Sequence, residues 1–273
     1  MTNAIQSMWV GESLSTMERL SIASYLRHGH PYHLYTYGHV REIPTGVVVR
    51  DAREILPECE IRKFPTLANF SDYFRYNLLL KKGGWWCDTD TICLRPFDMI
   101  DEHVFAQQHS YELPIHINNG YLKAPPNSPV MQWLVRQCHL TDWSNMSWAD
   151  IGPDLVSRAV KHFSLPSYPP SAFNPIPYRD WTTLIEGSAP KIPEDAFAVH
   201  LWHEKWRRAG EHGDATYPFD CLYEQLKKRY GIAVLTRRSP TLRARLARVA
   251  RLLKRRARSV APSWAIRLKR KIL

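Results

Sequence analysis

Asp88 and Asp90, with Thr89 between them, are the residues of this 273-residue chain best suited to chemistry. Carboxylates at i and i+2 of an extended segment point to the same side, and two like charges held together need neutralising. A divalent cation with oxygen ligands, Mn²⁺ or Mg²⁺, does this economically and keeps coordination positions for substrate phosphates. The chemistry suggested is departure of a phosphate-bearing leaving group whose charge the ion stabilises. A second pair, Asp72 and Arg75, lies three residues apart and shares one face of a helix. As a surface ion pair it contributes little; as a clamp, both groups can hydrogen-bond sugar hydroxyls. A metal-dependent phosphoesterase or nucleotidyltransferase could use the same aspartates, although such sites usually gather more carboxylates.

The elements that must position these residues are readable around them. Phe70, Phe74 and Leu78 recur at helical spacing. Gly83 and Gly84 stop that helix, and Trp85-Trp86-Cys87 reads as a short buried strand. The aspartates follow at its C-terminal end, where open α/β sheets bind ligands. Upstream, Ile5–Val10 reads as a strand, and Ser13 or Ser15 can cap a helix reaching Arg27. Two further strands are expected at Tyr32–Tyr37 and Gly46–Val49. Downstream, strands are expected at Val104–Gln107 and Ile115–Leu122. Helices follow at Val130–His139 and after Gly152-Pro153. The proline-rich stretch 164–180 excludes a long regular element. Ala196–Trp202 reads as a late strand and Phe219–Tyr230 as an amphipathic helix. The alternation predicts an α/β fold.

Charge divides the chain in two. Fourteen Lys/Arg and no acidic residue fall in 236–273, so a formal net charge of +11 becomes −3 for residues 1–235. Residues 1–235 are expected to form the working domain and 236–273 a basic tail. Ser239-Pro240 can open a helix with Leu242, Leu246, Val249 and Leu253 on one side and basic residues elsewhere. That pattern fits a helix lying on an anionic membrane surface. A nucleic-acid arm or a partner-binding helix are the competing readings, with nucleic acid the least favoured. Met1 leads within a few residues into a strand-like run, so no signal peptide is expected, and no stretch of 1–273 reaches the roughly 18 apolar residues needed to span a bilayer. The expected location is cytoplasmic and peripheral to the inner membrane face. Five cysteines without metal-type spacing are expected to be buried thiols of a reducing compartment. Hydrophobic residues at 44% and charged ones at 23% exclude a disordered chain.

The pattern Ser71-Asp72-x-x-Arg75-x-x-x-Leu79-x-x-x-Gly83-Gly84-x-x-x-Asp88-x-Asp90 resembles the sugar-nucleotide-binding signature of the DXD glycosyltransferases. That group includes α1,4-galactosyltransferases, α1,4-N-acetylglucosaminyltransferases, initiating mannosyltransferases and bacterial capsule and lipooligosaccharide enzymes. Met8-Trp9-Val10-Gly11, Asn118-Asn119-Gly120, Ile151-Gly152-Pro153-Asp154, Pro175–Trp181 and Ala198–Trp202 extend the similarity over about residues 5–207. The resemblance implies a GT-A-like fold, a Rossmann-like nucleotide-binding half with a mixed sheet. It implies a metal-dependent hexosyltransferase that takes a nucleotide-diphospho-sugar, a UDP-sugar above all, and retains anomeric configuration. Retention can proceed by front-face attack or through a covalent intermediate; no residue stands out as the nucleophile, which favours front-face attack. Trp9 then stacks on the base, and Asp72, Arg75 and Asn119 bind the donor sugar. Asp88 and Asp90 hold Mn²⁺ (or Mg²⁺), with His200 as a further ligand. Trp202 contacts the diphosphate through its indole N–H, and Asp154 acts near the reacting sugar. Trp143, Trp148 and Trp181 are acceptor-site candidates. The expected acceptor is a saccharide, lipid-linked, in bacterial surface polysaccharide or lipooligosaccharide synthesis. A toxin-like transferase acting on a protein is the alternative.

Overall fold

A computed structural model describes residues 4–110, 115–143, 146–147, 149–233, 246 and 249–250. Nearly all of the expected tail, 236–273, and Trp148 lie outside the described residues.

Six strands form one mixed sheet in the order β3-β2-β1-β4-β7-β6. They are β1 (Ile5–Trp9), β2 (Tyr32–Thr36), β3 (Val47–Asp51), β4 (Gly84–Cys87), β6 (Val104–Gln107) and β7 (Ile117–Ala124). Strand β5 (Thr91–Cys93) pairs instead with β8 (Ala198–His200) in a second, two-stranded sheet. The first four strands of the large sheet run parallel, and β7 is antiparallel to both β4 and β6. This is the expected α/β class, with a parallel Rossmann-like half and antiparallel strands beyond it. From β1 the chain builds outward through β2 and β3, then returns to place β4 on the other side of β1. The crevice past the C-terminal ends of β1 and β4 is therefore the switch point where such sheets take ligands. Trp9 ends β1 there, and Asp88 follows β4 there.

Strand periodicity explains the tryptophan pair. Successive side chains face opposite ways. Trp86 packs with Phe74, Phe105 and Leu122 under helices α2 (Leu67–Lys82), α3 (Pro129–Leu140) and α4 (Pro153–His162). Trp85 packs with Ile22 and Tyr25 of α1 (Thr16–Arg27) and with Phe97 on the other face. A third core joins Met17 and Leu20 to the small sheet, through Ile92, Val199 and Leu201, and to Trp206 and Tyr223. The last two belong to α6 (His203–Arg208) and α7 (Leu222–Arg229). Between α4 and β8 the described residues form only α5 (Pro170–Phe173), one turn, and a 3-10 segment at Tyr178–Leu184, as the prolines require.

Three expectations are corrected. Asp88 and Asp90 sit on a tight turn rather than an extended segment, with the Asp88 carbonyl accepting from the Thr91 N–H and hydroxyl. The late strand stops at His200, because Trp202 adopts φ +60° before α6. Cys59 is exposed, while the other four cysteines are buried; all five are free.

Helix α2 is capped by Thr66, whose hydroxyl accepts from the Asn69 N–H at 3.2 Å. Gly83 ends it at φ +64°, ψ −167°, and Gly84 continues at φ +89°. A Cβ on Gly83 would stand 2.5 Å from the backbone nitrogen of Pro126. Buried Gln6 of β1 donates its amide to the Gly83 carbonyl at 2.7 Å, tying this turn to the sheet. Both the backbone conformation and the close approach demand glycine. Gly83→Ala is expected to cost about 1–3 kcal/mol from backbone strain alone, lowering Tm by roughly 2–12 °C. Thermal unfolding followed by circular dichroism checks this.

Candidate active site

Helix α2 is buried on most of its circumference, and this changes the meaning of Asp72 and Arg75. They are not a surface pair: their side chains are 6% and 5% exposed. An Arg carries five N–H donors on three nitrogens in a rigid fork, and each nitrogen has a partner here. Nε donates to the Ser71 carbonyl at 3.2 Å. One terminal nitrogen reaches the Asn119 carbonyl and, at 3.3 Å, Asp88 Oδ1. The other reaches Ser71 Oγ and Asp72 Oδ1, both at 3.1 Å. The guanidinium also lies 5.0 Å over the Trp86 ring. The expected sugar clamp is thus engaged with protein at Arg75, which holds α2, β4 and β7 together. Asn119 donates its amide to Asp72 Oδ1 at 2.6 Å, so it positions Asp72. Burial outweighs the attraction of Arg75 and pushes the Asp72 carboxyl up to about 7, and the nearby Asp88 charge acts in the same direction.

Each aspartate of the Asp88-Thr89-Asp90 turn divides its oxygens between scaffold and cleft. Asp88 Oδ1 accepts from the Trp86 indole N–H at 2.8 Å and faces Arg75, while Oδ2 faces Gly120. Asp90 Oδ2 accepts from the His203 N–H at 2.8 Å, while Oδ1 stands 3.2 Å from His200 Nε2. His200 arrives there because β8 pairs with β5 in the register Thr91↔His200, and the Leu201 N–H donates to the Asp90 carbonyl. Its ring stacks on Trp202 at 4.0 Å between centroids, and its buried Nδ1 has no partner among the described residues. Burial works against the charge on Asp90, but His200 and the His203 N–H overcome it and hold the carboxyl well below the usual range.

Ligand atoms of Asp88, Asp90 and His200 all lie within 4.8 Å of one another. Between them stands Gly120, whose absent Cβ would fall 2.7 Å from Asn118 Oδ1 and 3.2 Å from both Asp88 Oδ2 and His200 Cε1. Two carboxylate oxygens and an imidazole nitrogen around a gap that a methyl group would fill suit Mn²⁺ or Mg²⁺, Mn²⁺ accepting the nitrogen more readily.

Other expected residues fall into place unevenly. Trp9 is half-buried at the end of β1, its indole N–H without a hydrogen-bond partner among the described residues and Gly11 packed against it. The Trp202 indole N–H is donated to the Ile176 carbonyl at 3.0 Å, so it is engaged within the protein rather than facing a diphosphate. Asp154 sits in the first turn of α4 beside His116, at 3.2 Å. Trp143 stacks on Phe64 and donates to the Cys138 carbonyl, and Trp181 packs toward Trp206; both serve the core.

Sequence reasoning missed four contributors. Trp86 orients Asp88, and Gly120 leaves the gap. His203 donates to Asp90 from the start of α6, and its ring stands 3.5 Å from buried Glu18. Glu18 completes a capping box on α1, accepting from the Ser15 N–H at 2.7 Å. The Ser15-x-x-Glu18 spacing was a readable signal; Trp86 acts on Asp88 only two residues away but through a turn, and Gly120 and His203 needed the pairing of distant strands.

Residues 18–106 match the family described as the glycosyltransferase sugar-binding region containing a DXD motif, and residues 124–236 match the alpha 1,4-glycosyltransferase conserved region. The chain is 29% identical over 179 residues to lactosylceramide 4-alpha-galactosyltransferase of Homo sapiens, covering 59% of this chain and 47% of that protein. It is 26% identical over 150 residues to alpha-1,4-N-acetylglucosaminyltransferase of Homo sapiens, covering 49% and 42%. It spans about half the length of these relatives or less. Among solved structures, the glycosyltransferase GlyE of Streptococcus pneumoniae TIGR4 is loosely similar, with a TM-score of 0.46 at 16% identity over 73% of this chain and 55% of that one.

The pH dependence of folding follows from Asp72. A carboxyl whose folded pKa is raised favours the native state while protonated. Its contribution is present below about pH 4 and lost as pH rises toward 7, at up to about 1.4 kcal/mol per unit. In metal-free protein, Asp72→Asn is expected to flatten the Tm profile between those limits, as measured by differential scanning calorimetry.

Proposed function

Because the chain belongs to the glycosyltransferases whose sugar-binding region contains a DXD motif, we propose that it moves a hexose from a UDP-sugar to a saccharide acceptor. The observation that carries this reading is the cradle of Asp88, Asp90 and His200 around Gly120, at the switch point of the sheet. Asp88, Asp90 and His200 are the residues to hold Mn²⁺ or Mg²⁺; the ion, when bound, stabilises charge on the leaving diphosphate. Trp9 at the end of β1 offers a ring face to the base across the same crevice. Asp72, held by Arg75 and Asn119, stands on the donor-sugar side. Asp154, half exposed at the start of α4, stands on the acceptor side.

The mechanism that fits is front-face transfer with retention. Among the described residues, no carboxylate beyond Asp88 and Asp90 joins the cradle, which weighs against a phosphoesterase or nucleotidyltransferase. Both relatives named above are α1,4-transferases, so the acceptor of this chain is taken to be a sugar hydroxyl presented by a lipid-linked saccharide. No described helix is long and apolar enough to cross a membrane. The basic segment 236–273 would then carry the enzyme to an anionic, lipid-bearing surface. Synthesis of bacterial surface polysaccharide or lipooligosaccharide remains the setting proposed, at the inner membrane face.

The direct test incubates UDP-hexoses with Mn²⁺ and follows release of UDP. Asp90→Asn is expected to retain the fold by circular dichroism and to lose at least about 100-fold in donor turnover. An Asp90→Asn variant as active as the parent would exclude the cradle from the reaction.

A further inference from the structure

Four polar side chains run in a line from the cradle to the start of α4. Asn118 Oδ1 accepts from the Gly120 N–H at 2.8 Å, the same Gly120 that leaves the gap between Asp88 and His200. Asn118 Nδ2 donates to Gln108 Oε1 at 2.9 Å. Gln108 Nε2 lies 3.1 Å from His116 Nδ1. His116 Nε2 lies 3.2 Å from Asp154 Oδ1.

The polarity of this line is set from one end. A backbone N–H can only donate, so Asn118 must turn its oxygen to Gly120 and its amide nitrogen to Gln108. Gln108 then presents its oxygen to Asn118 and its nitrogen to His116. That nitrogen can only donate, so His116 Nδ1 is the acceptor, and the proton of the neutral ring sits on Nε2, beside Asp154. The backbone reinforces the alignment. The Gln108 N–H donates to the His116 carbonyl at 2.8 Å, and the Ile117 N–H donates to Ser157 Oγ at 2.9 Å, which in turn donates to the Pro153 carbonyl. Strand β7 is thereby fastened to the first turn of α4.

The far end is left incomplete. His116 Nε2 is buried yet makes no aligned hydrogen bond among the described residues, despite its closeness to Asp154. The Asp154 side chain is 52% exposed. An N–H donor and a carboxylate acceptor side by side match one hydroxyl group, which accepts from the first and donates to the second.

Building on the transferase reading, we propose that His116 and Asp154 together bind one hydroxyl of the acceptor saccharide. Gln108 is a positioning residue that fixes the His116 tautomer needed for it. The same line ties acceptor hydroxyl to metal cradle through the backbone of Gly120.

Gln108→Glu tests this with almost no change of shape. A glutamate still accepts from Asn118, but its second oxygen also accepts. Where the ring is neutral, His116 then carries its proton on Nδ1 and turns a lone pair toward Asp154, so parent and variant are compared at alkaline pH. The assay uses UDP-hexoses with Mn²⁺ and compares hydrolysis by water with transfer to methyl β-galactoside, methyl β-glucoside and methyl β-lactoside. The expected result is a rise of about tenfold in the glycoside KM and a matching fall in the ratio of transfer to hydrolysis. General damage to the fold lowers transfer and hydrolysis together and leaves their ratio in place. A parental ratio in Gln108→Glu overturns the hydroxyl site while leaving the transferase reading intact. Parental hydrolysis that no glycoside diverts overturns it as well. A parent that hydrolyses none of the UDP-hexoses overturns the transferase reading and this inference with it.

Discussion

The site depends on a buried guanidinium. Arg75 lies beneath the crevice with each of its three nitrogens hydrogen-bonded, two carboxylates beside it and the Trp86 ring under it. Burying a lone charge in this core would cost far more than the fold can spare; ion pairing and hydrogen bonding make it tolerable. The return is geometric. One side chain of α2 reaches Asp88 past β4 and the Asn119 carbonyl in β7, so helix and two strands cannot shift independently. By engaging Asp88 Oδ1, it leaves Oδ2 toward Gly120. The same guanidinium shares its charge between Asp72 and Asp88. Burial keeps the proton on Asp72 near neutrality in spite of Arg75, while His200 and the His203 N–H overcome burial at Asp90 and keep it ionised.

A second constraint comes from the small sheet. Strand β5 begins one residue after Asp90 and pairs with β8, which brings His200 beside it from more than a hundred residues away. The irregularity between β6 and β7 serves the opposite side. Phe105 pairs with Leu122 and Ala106 with Asn118, so residues 119–121 are extra in β7 at this point. Asn119 and Gly120 are released from β6 and can turn toward Asp72 and the gap. The cleft is thus bounded by a turn, a strand end and an irregular strand, each anchored to a different part of the core.

Much of this was legible in the chain. The helix before Gly83-Gly84, the buried Trp85-Trp86-Cys87 strand, the two aspartates and His200 could be picked out, because spacing and residue type are local or distinctive. The α/β class followed from the alternation of elements. Other features were hidden for physical reasons. Thr91-Ile92-Cys93 is too short for a period-two pattern, so β5 and the second sheet were invisible. Helix α2 carries buried residues nearly all round, and its Asp72 and Arg75 read as exposed charge when only the helix wheel is considered. Asp88 and Asp90 share a side as expected, but through a turn stabilised by Thr91 rather than an extended backbone. Gly120 stood only as the end of the Asn118-Asn119-Gly120 motif, and its value as space beside the cradle depends on Asp88 and His200 converging from either side. Trp202 was assigned an outward indole N–H that the Ile176 carbonyl occupies instead.

Mn²⁺ binding to the parent chain and to Gly120→Ala, followed by loss of the free-ion signal in electron paramagnetic resonance, addresses the cradle most directly. Gly120 has no left-handed φ, so alanine tests space rather than backbone freedom. The account predicts one ion bound by the parent and binding weakened by at least about tenfold in Gly120→Ala, with both proteins folded. Equal binding by the two, or none by the parent in the presence of UDP, would contradict it.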